Sequence, residues 1–74
     1  MSEEIEKLRK IAEDYLKKLK DIDKFRIIYA KRLNGQWKVV VKYDTPDNPD
    51  TMSMLLINWN TEKVDMFREG ILTY

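Results

Sequence analysis

Asp44, Asp47 and Asp50 stand at three-residue spacing in Asp44-Thr45-Pro46-Asp47-Asn48-Pro49-Asp50-Thr51, and they are the carboxylates that could approach one another in a site. A carboxylate pair can act as acid and as base or nucleophile on a glycosidic bond, and a carboxylate cluster can hold calcium. The surroundings argue against both. Each proline removes a backbone donor and disfavours a helical residue before it, so the stretch reads as a surface loop in which the aspartates cap turns. Acid and base groups need placement within roughly 0.5 Å on rigid elements. The glycine and closing glutamate of a calcium loop are missing. Histidine and cysteine are absent from the chain, which removes the commonest general base, the thiolate nucleophile and the usual zinc ligands. The residues therefore predict no enzyme, no metal site and no cofactor.

A second set of side chains is basic. Lys24, Arg26, Arg32, Lys38 and Lys42 are expected together on one face of a hairpin, where they are candidate phosphate contacts for a nucleic acid. Sheets that read single strands also need aromatics for base stacking, and Phe25, Tyr29, Trp37 and Tyr43 are expected on the opposite face. A small nucleic-acid-binding domain is thus the alternative function. The plainer reading of the same residues is a solubilising outer face.

The hairpin that positions them turns at Asn34-Gly35, between two alternating apolar runs near 24–32 and 36–43. Two ladders are open. With a two-residue loop, Leu33 pairs with Gln36, and continuing the ladder puts Phe25, Ile27 and Tyr29 on the face opposite to Trp37, Val39, Val41 and Tyr43, so that each face is half apolar. A three-residue loop, Leu33-Asn34-Gly35, puts Gly35 in a left-handed bulge and matches Tyr29 to Val39, Ile27 to Val41 and Phe25 to Tyr43. We expect the second, because it separates an apolar face from one carrying Lys24, Arg26, Ile28, Ala30, Arg32, Gln36, Lys38, Val40 and Lys42.

Before the hairpin, Ile5, Leu8, Ile11, Ala12, Tyr15, Leu16, Leu19 and Ile22 recur at three- and four-residue spacing, the stripe of an amphipathic helix of about five turns. Ser2 is its expected N-cap, with Glu3 and Glu4 in the first turn. Its other face carries Glu3/Lys7, Glu6/Lys10, Glu13/Lys17 and Asp14/Lys18, all acid before base at i,i+4.

After the proline loop, Met52 to Trp59 and Val64 to Phe67 read as two further strands. The third strand does not alternate: with Leu55, Ile57 and Trp59 toward the helix, Met54 and Leu56 must face away. A loop over Asn60 to Lys63 would pair Trp59 with Val64 and Ile57 with Met66 inside, and Leu56 with Phe67 outside. Ile28, Val40, Met54, Leu56 and Phe67, with Ala30, then form an apolar patch on the open side of the sheet. Such a patch could be covered by the tail Ile71-Leu72-Thr73-Tyr74, could reflect third and fourth strands buried on both sides, or could meet a partner, either a second copy of the chain or another protein.

The stretch from Leu55 to Met66 resembles the hairpin of PepSY-like domains, in which apolar alternation leads into Asp-Ala-x-Thr-Gly-x-Val; Asn58, Thr61 and Val64 match it. Glu62 stands at the glycine position, a left-handed site that costs a non-glycine residue roughly 1 kcal/mol or more, and Trp59 replaces the small residue. The resemblance implies a non-catalytic helix-on-sheet module that binds or inhibits a protein, and it carries over no binding residues.

Composition sets the frame. The chain of 74 residues, 43% hydrophobic and 36% charged with net charge +1, suits a single α+β domain over 1–74 and gives no global pull toward nucleic acid or membrane. No apolar run approaches the roughly 18 residues of a membrane helix. Met1-Ser2-Glu3-Glu4 lacks the basic and apolar regions of a signal peptide, so the expected location is cytoplasmic, or wherever a recombinant host leaves the chain. The absence of Cys and His and the uniformly favourable helix pairs also fit a designed scaffold without natural function. The expectation is an N-terminal helix on one face of a four-stranded antiparallel meander, acting as a non-enzymatic scaffold or protein-interaction module.

Overall fold

Glu3, Glu4 and Glu6 open the helix and Lys17, Lys18 and Lys20 close it, so both ends complement the helix dipole. A computed structural model describes residues 3–74; the expected Ser2 cap lies outside the described residues. In it α1 spans Glu3–Lys20 and is followed by β1 (Arg26–Leu33), β2 (Gln36–Tyr43), β3 (Thr51–Asn58) and β4 (Lys63–Glu69). The strands form one antiparallel sheet in the order β1-β2-β3-β4, the α+β meander that the periodicities predict. From the helical stripe Leu8, Ala12 and Leu16 are fully buried, and they meet Val39, Val41, Tyr43, Leu55 and Ile57 of the central strands. Ile5 and Leu19 flank the stripe and stay exposed. No helix among the described residues is long and apolar enough to cross a membrane.

The helix stops in a left-handed αL-type cap: Asp21 N–H donates to Lys17 O at 3.0 Å, and Ile22 N–H reaches back to Leu16 O at 3.3 Å, which lets Ile22 tuck into the core. Asp21 holds the left-handed position with φ of 55°. Glycine takes that conformation without strain, and a negative charge there opposes the dipole. Asp21→Gly should therefore stabilise the fold by about 1 kcal/mol, a rise in Tm of roughly 4–8 °C for a domain of this size, measured by circular dichroism on heating. An unchanged or lower Tm would show that the left-handed Asp21 is unstrained.

Two register expectations are corrected. At the first hairpin Leu33 pairs directly with Gln36, so the loop is Asn34-Gly35, and Gly35 has φ of 75°. A bulge between Ile27 and Tyr29 then resets the ladder: Arg32 pairs with Trp37, Ala30 with Val39 and Tyr29 with Val40, while Ile27 still meets Val41. Directly paired residues share a face. Ala30 and Arg32 therefore lie on the helix side, Tyr29 on the outer side, and Ile28 is the extra residue of the bulge.

At the second hairpin Asn58 pairs with Lys63 and the loop is Trp59 to Glu62. The Asn58 side-chain oxygen accepts the N–H groups of Asn60 and Thr61 at 2.9 and 3.1 Å, Glu62 N–H donates to Asn58 O at 2.8 Å, and Glu62 takes φ of 57°. Ile57 pairs with Val64; a second shift, with Asp65 as the extra residue, then pairs Leu56 with Met66 and Leu55 with Phe67. Phe67 thus faces the helix, its ring 5.5 Å from that of Tyr15, and Met66 takes the outward place expected for Phe67.

Candidate interaction surface

The outer face of the sheet is ordered by its ladders. Tyr29, Val40, Met54 and Arg68 form one row across the four strands, and Lys31, Lys38, Leu56 and Met66 form the next. Val40 is fully buried although it lies outside the helix-side core. The tail explains this. Gly70, with φ of 74°, turns the chain after β4; Ile71 N–H donates to Met52 O on β3 at 2.9 Å, and the Tyr74 ring lies 4.9 Å from that of Tyr29 on β1. Residues 71–74 therefore pass over β2 on the outer side, where Val40 sits. The tail covers the first row only in part. In the second, Leu56 is half-buried and Met66 is 43% exposed, and the tail itself presents Leu72 at 96% exposure.

Of the apolar patch expected from sequence, Val40, Met54 and Leu56 do share the outer face, Ile28 sits in the bulge, and Phe67 belongs to the core. Met66, Leu72 and Tyr74 replace the missing members.

The expected phosphate-binding set is divided. Arg26 and Lys42 share the Asp50 carboxylate at 3.4 and 3.3 Å, Arg32 reaches Glu4 on α1 at 3.8 Å, and Lys24 lies ahead of β1. Lys38 keeps its outward place. Its direct cross-strand neighbour is Lys31, and neither has a carboxylate partner among the described residues. Like-charged residues directly paired across a ladder destabilise it.

The loop aspartates serve the loop. Asp44 Oδ1 accepts the Asp50 N–H at 2.7 Å, and Asp50 holds the two basic side chains of the sheet. Among the described residues no group of three or more potential ligands stands close enough to hold a metal ion.

One polar cluster escapes sequence reasoning. Tyr43 donates its hydroxyl to Glu69 Oε2 at 2.8 Å, so the Ser53 hydroxyl at 2.8 Å is its donor, and Lys20 Nζ meets Glu69 Oε1 at 3.3 Å. The chain Ser53-Tyr43-Glu69-Lys20 ties β3, β2 and β4 to the end of α1. Burial pushes the Tyr43 hydroxyl up to about 12, the Glu69 carboxylate adding to the rise and the Ser53 hydrogen bond opposing it. The Tyr43 hydrogen bond holds Glu69 below its ordinary value, with Lys20 assisting. The readable signal was Ser53, a polar residue in the inward phase of β3.

The opposite end is closed by aromatics: the Trp37 and Trp59 rings are 5.9 Å apart, and Lys7 Nζ lies 4.3 Å over Trp59 while pairing with Glu62 at 3.3 Å. A groove beside these residues, between α1 and β4, is floored by Ile11, Tyr15 and Val64 and rimmed by Lys7, Lys10 and Glu62. Compared with protein families, curated proteins and solved structures, the chain matches none.

Proposed function

We infer that the chain is a non-enzymatic protein-interaction module that docks its partner on the uncovered part of the outer sheet face. One observation carries this reading: Leu56 and Met66 lie side by side on that face, Met66 43% exposed, while α1 closes the inner face. The edges are less suited to docking, because both edge strands carry bulges and charged side chains that discourage pairing with another strand. The resemblance of the second hairpin to PepSY-like domains points the same way. Asp21, Asp50 and Glu62 at positive φ are not the choices of an idealised backbone, which favours a functional module over a purpose-free designed scaffold.

Selection from a peptide library tests the reading. Ligands recovered against the wild-type chain should bind about tenfold or more weakly to Leu56→Asn and Met66→Asn, as expected for central interface positions. They should keep their affinity for Lys10→Gln, a change in the α1–β4 groove. Ligands indifferent to both outer-face substitutions and lost with Lys10→Gln would move the site to the groove and overturn the reading. Light scattering over a concentration series separates a second copy of the chain, with mass above 8.9 kDa, from a foreign partner.

A further inference from the structure

We propose that the row Lys31, Lys38, Leu56 and Met66 receives an acidic peptide segment carrying an apolar anchor, an inference that rests on the outer-face reading above. Its two halves differ in chemistry. Lys31 and Lys38 are directly opposed on β1 and β2 without a carboxylate partner among the described residues, although Asp50 is shared by the other basic pair of the same face. A like-charge pair of this kind costs the fold stability, and an anionic group that reaches both side chains offsets that cost. Lys38 is half-buried, so a carboxylate reaching it is partly shielded from water.

Leu56 and Met66 continue the row on β3 and β4. The four strands span roughly 14 Å at about 4.8 Å per spacing, which four or five residues of extended chain cover. The tail crosses the neighbouring row in the same direction, so it forms one wall of the track. Nucleic acid suits the track less well. Half of it is aliphatic, and the outward aromatic of β1, Tyr29, is occupied by Tyr74.

Fluorescence polarisation with two labelled synthetic peptides of equal length tests this. One peptide carries paired aspartates at one end and leucine and phenylalanine at the other; the second has asparagines in place of the aspartates. The wild-type chain should bind the aspartate peptide about tenfold more tightly, with the preference shrinking as salt rises. Lys31→Gln combined with Lys38→Gln should erase the preference and at the same time raise Tm by a few degrees, roughly, because the opposed charges are gone. Leu56→Asn should weaken both peptides. Equal binding of the two peptides would overturn the acidic-partner inference and leave the outer-face reading intact. Aspartate-peptide binding that survives Leu56→Asn would place the ligand elsewhere and overturn both. Binding of neither peptide, or a preference for a labelled single-stranded oligonucleotide or an anionic phospholipid vesicle over the aspartate peptide, would also overturn the inference; the library selection then decides the outer-face reading separately.

Discussion

Phe67→Lys should destabilise the domain by roughly 3 kcal/mol or more, whereas Met66→Lys, one residue away, should change it by no more than about 0.5 kcal/mol. Phe67 packs on Tyr15 and on the helix-side core, so lysine there both removes an aromatic contact and drives an ammonium toward apolar surface. Met66 points outward and is 43% exposed, where a lysine stays in water. A chain of this length is stable by only about 4–11 kcal/mol, so the first change removes a large share of the total. Urea titrations followed by circular dichroism read both changes. Equal costs at the two positions, or a larger one at Met66, would mean that β4 is paired to β3 in the register expected from sequence.

That contrast shows where the sequence is legible and where it is not. The helical stripe, the strand periods and the turn at Gly35 identify every element, because each depends on local pattern. The faces depend on register, and the ladders of the two hairpins, β1–β2 and β3–β4, are each reset by a bulge, at Ile28 and at Asp65, that neither glycine nor proline marks. A regular ladder forces a choice between an Asn34-Gly35 loop and a segregated core. The bulge at Ile28 removes the conflict, since the short loop holds near the turn and Ile27 returns to Val41 beyond it. At Asp65 the same device moves Phe67 inward, and the displaced residue accepts the Gln36 side-chain amide at 2.7 Å.

The candidate surface was legible in kind and altered in membership. Non-alternation in the third strand required apolar residues on the outer face, and Met54 and Leu56 are there. The tail was one of the covers the sequence offered, but spacing could not choose it over a partner, because its hold rests on contacts across the sheet, the Ile71 hydrogen bond to Met52 and the Tyr74 ring against Tyr29. The basic set was dispersed by tertiary pairing: Asp50 lies far enough along the chain from Arg26, and Glu4 from Arg32, that no helical or strand period connects them.

Stability should fall steeply between about pH 10 and pH 12 for a reason local to Tyr43. Its hydroxyl has an ordinary value of 10.0 and reaches about 12 in the folded chain. Below pH 10 the folded and unfolded chains both keep the proton, and the contribution of the buried hydroxyl is fully present. As pH rises past 10 the unfolded chain releases that proton while the folded chain retains it, so the unfolded state gains and stability is lost through about pH 12. At about 1.36 kcal/mol per pH unit the loss amounts to roughly 2–3 kcal/mol. Tyr43→Phe should flatten this limb, at a cost near neutral pH of about 1–2 kcal/mol for stranding the fully buried Ser53 hydroxyl. Glu69 works from the other side: its value is lowered in the fold, so its contribution is present above the ordinary value of 4.5 and is lost as pH falls through the folded value. Urea midpoints measured across the alkaline range for wild type and Tyr43→Phe isolate the contribution of this hydroxyl. Parallel pH dependences in the two chains would show that Tyr43 titrates freely and that the Ser53-Tyr43-Glu69 chain does not hold the end of the helix to the sheet.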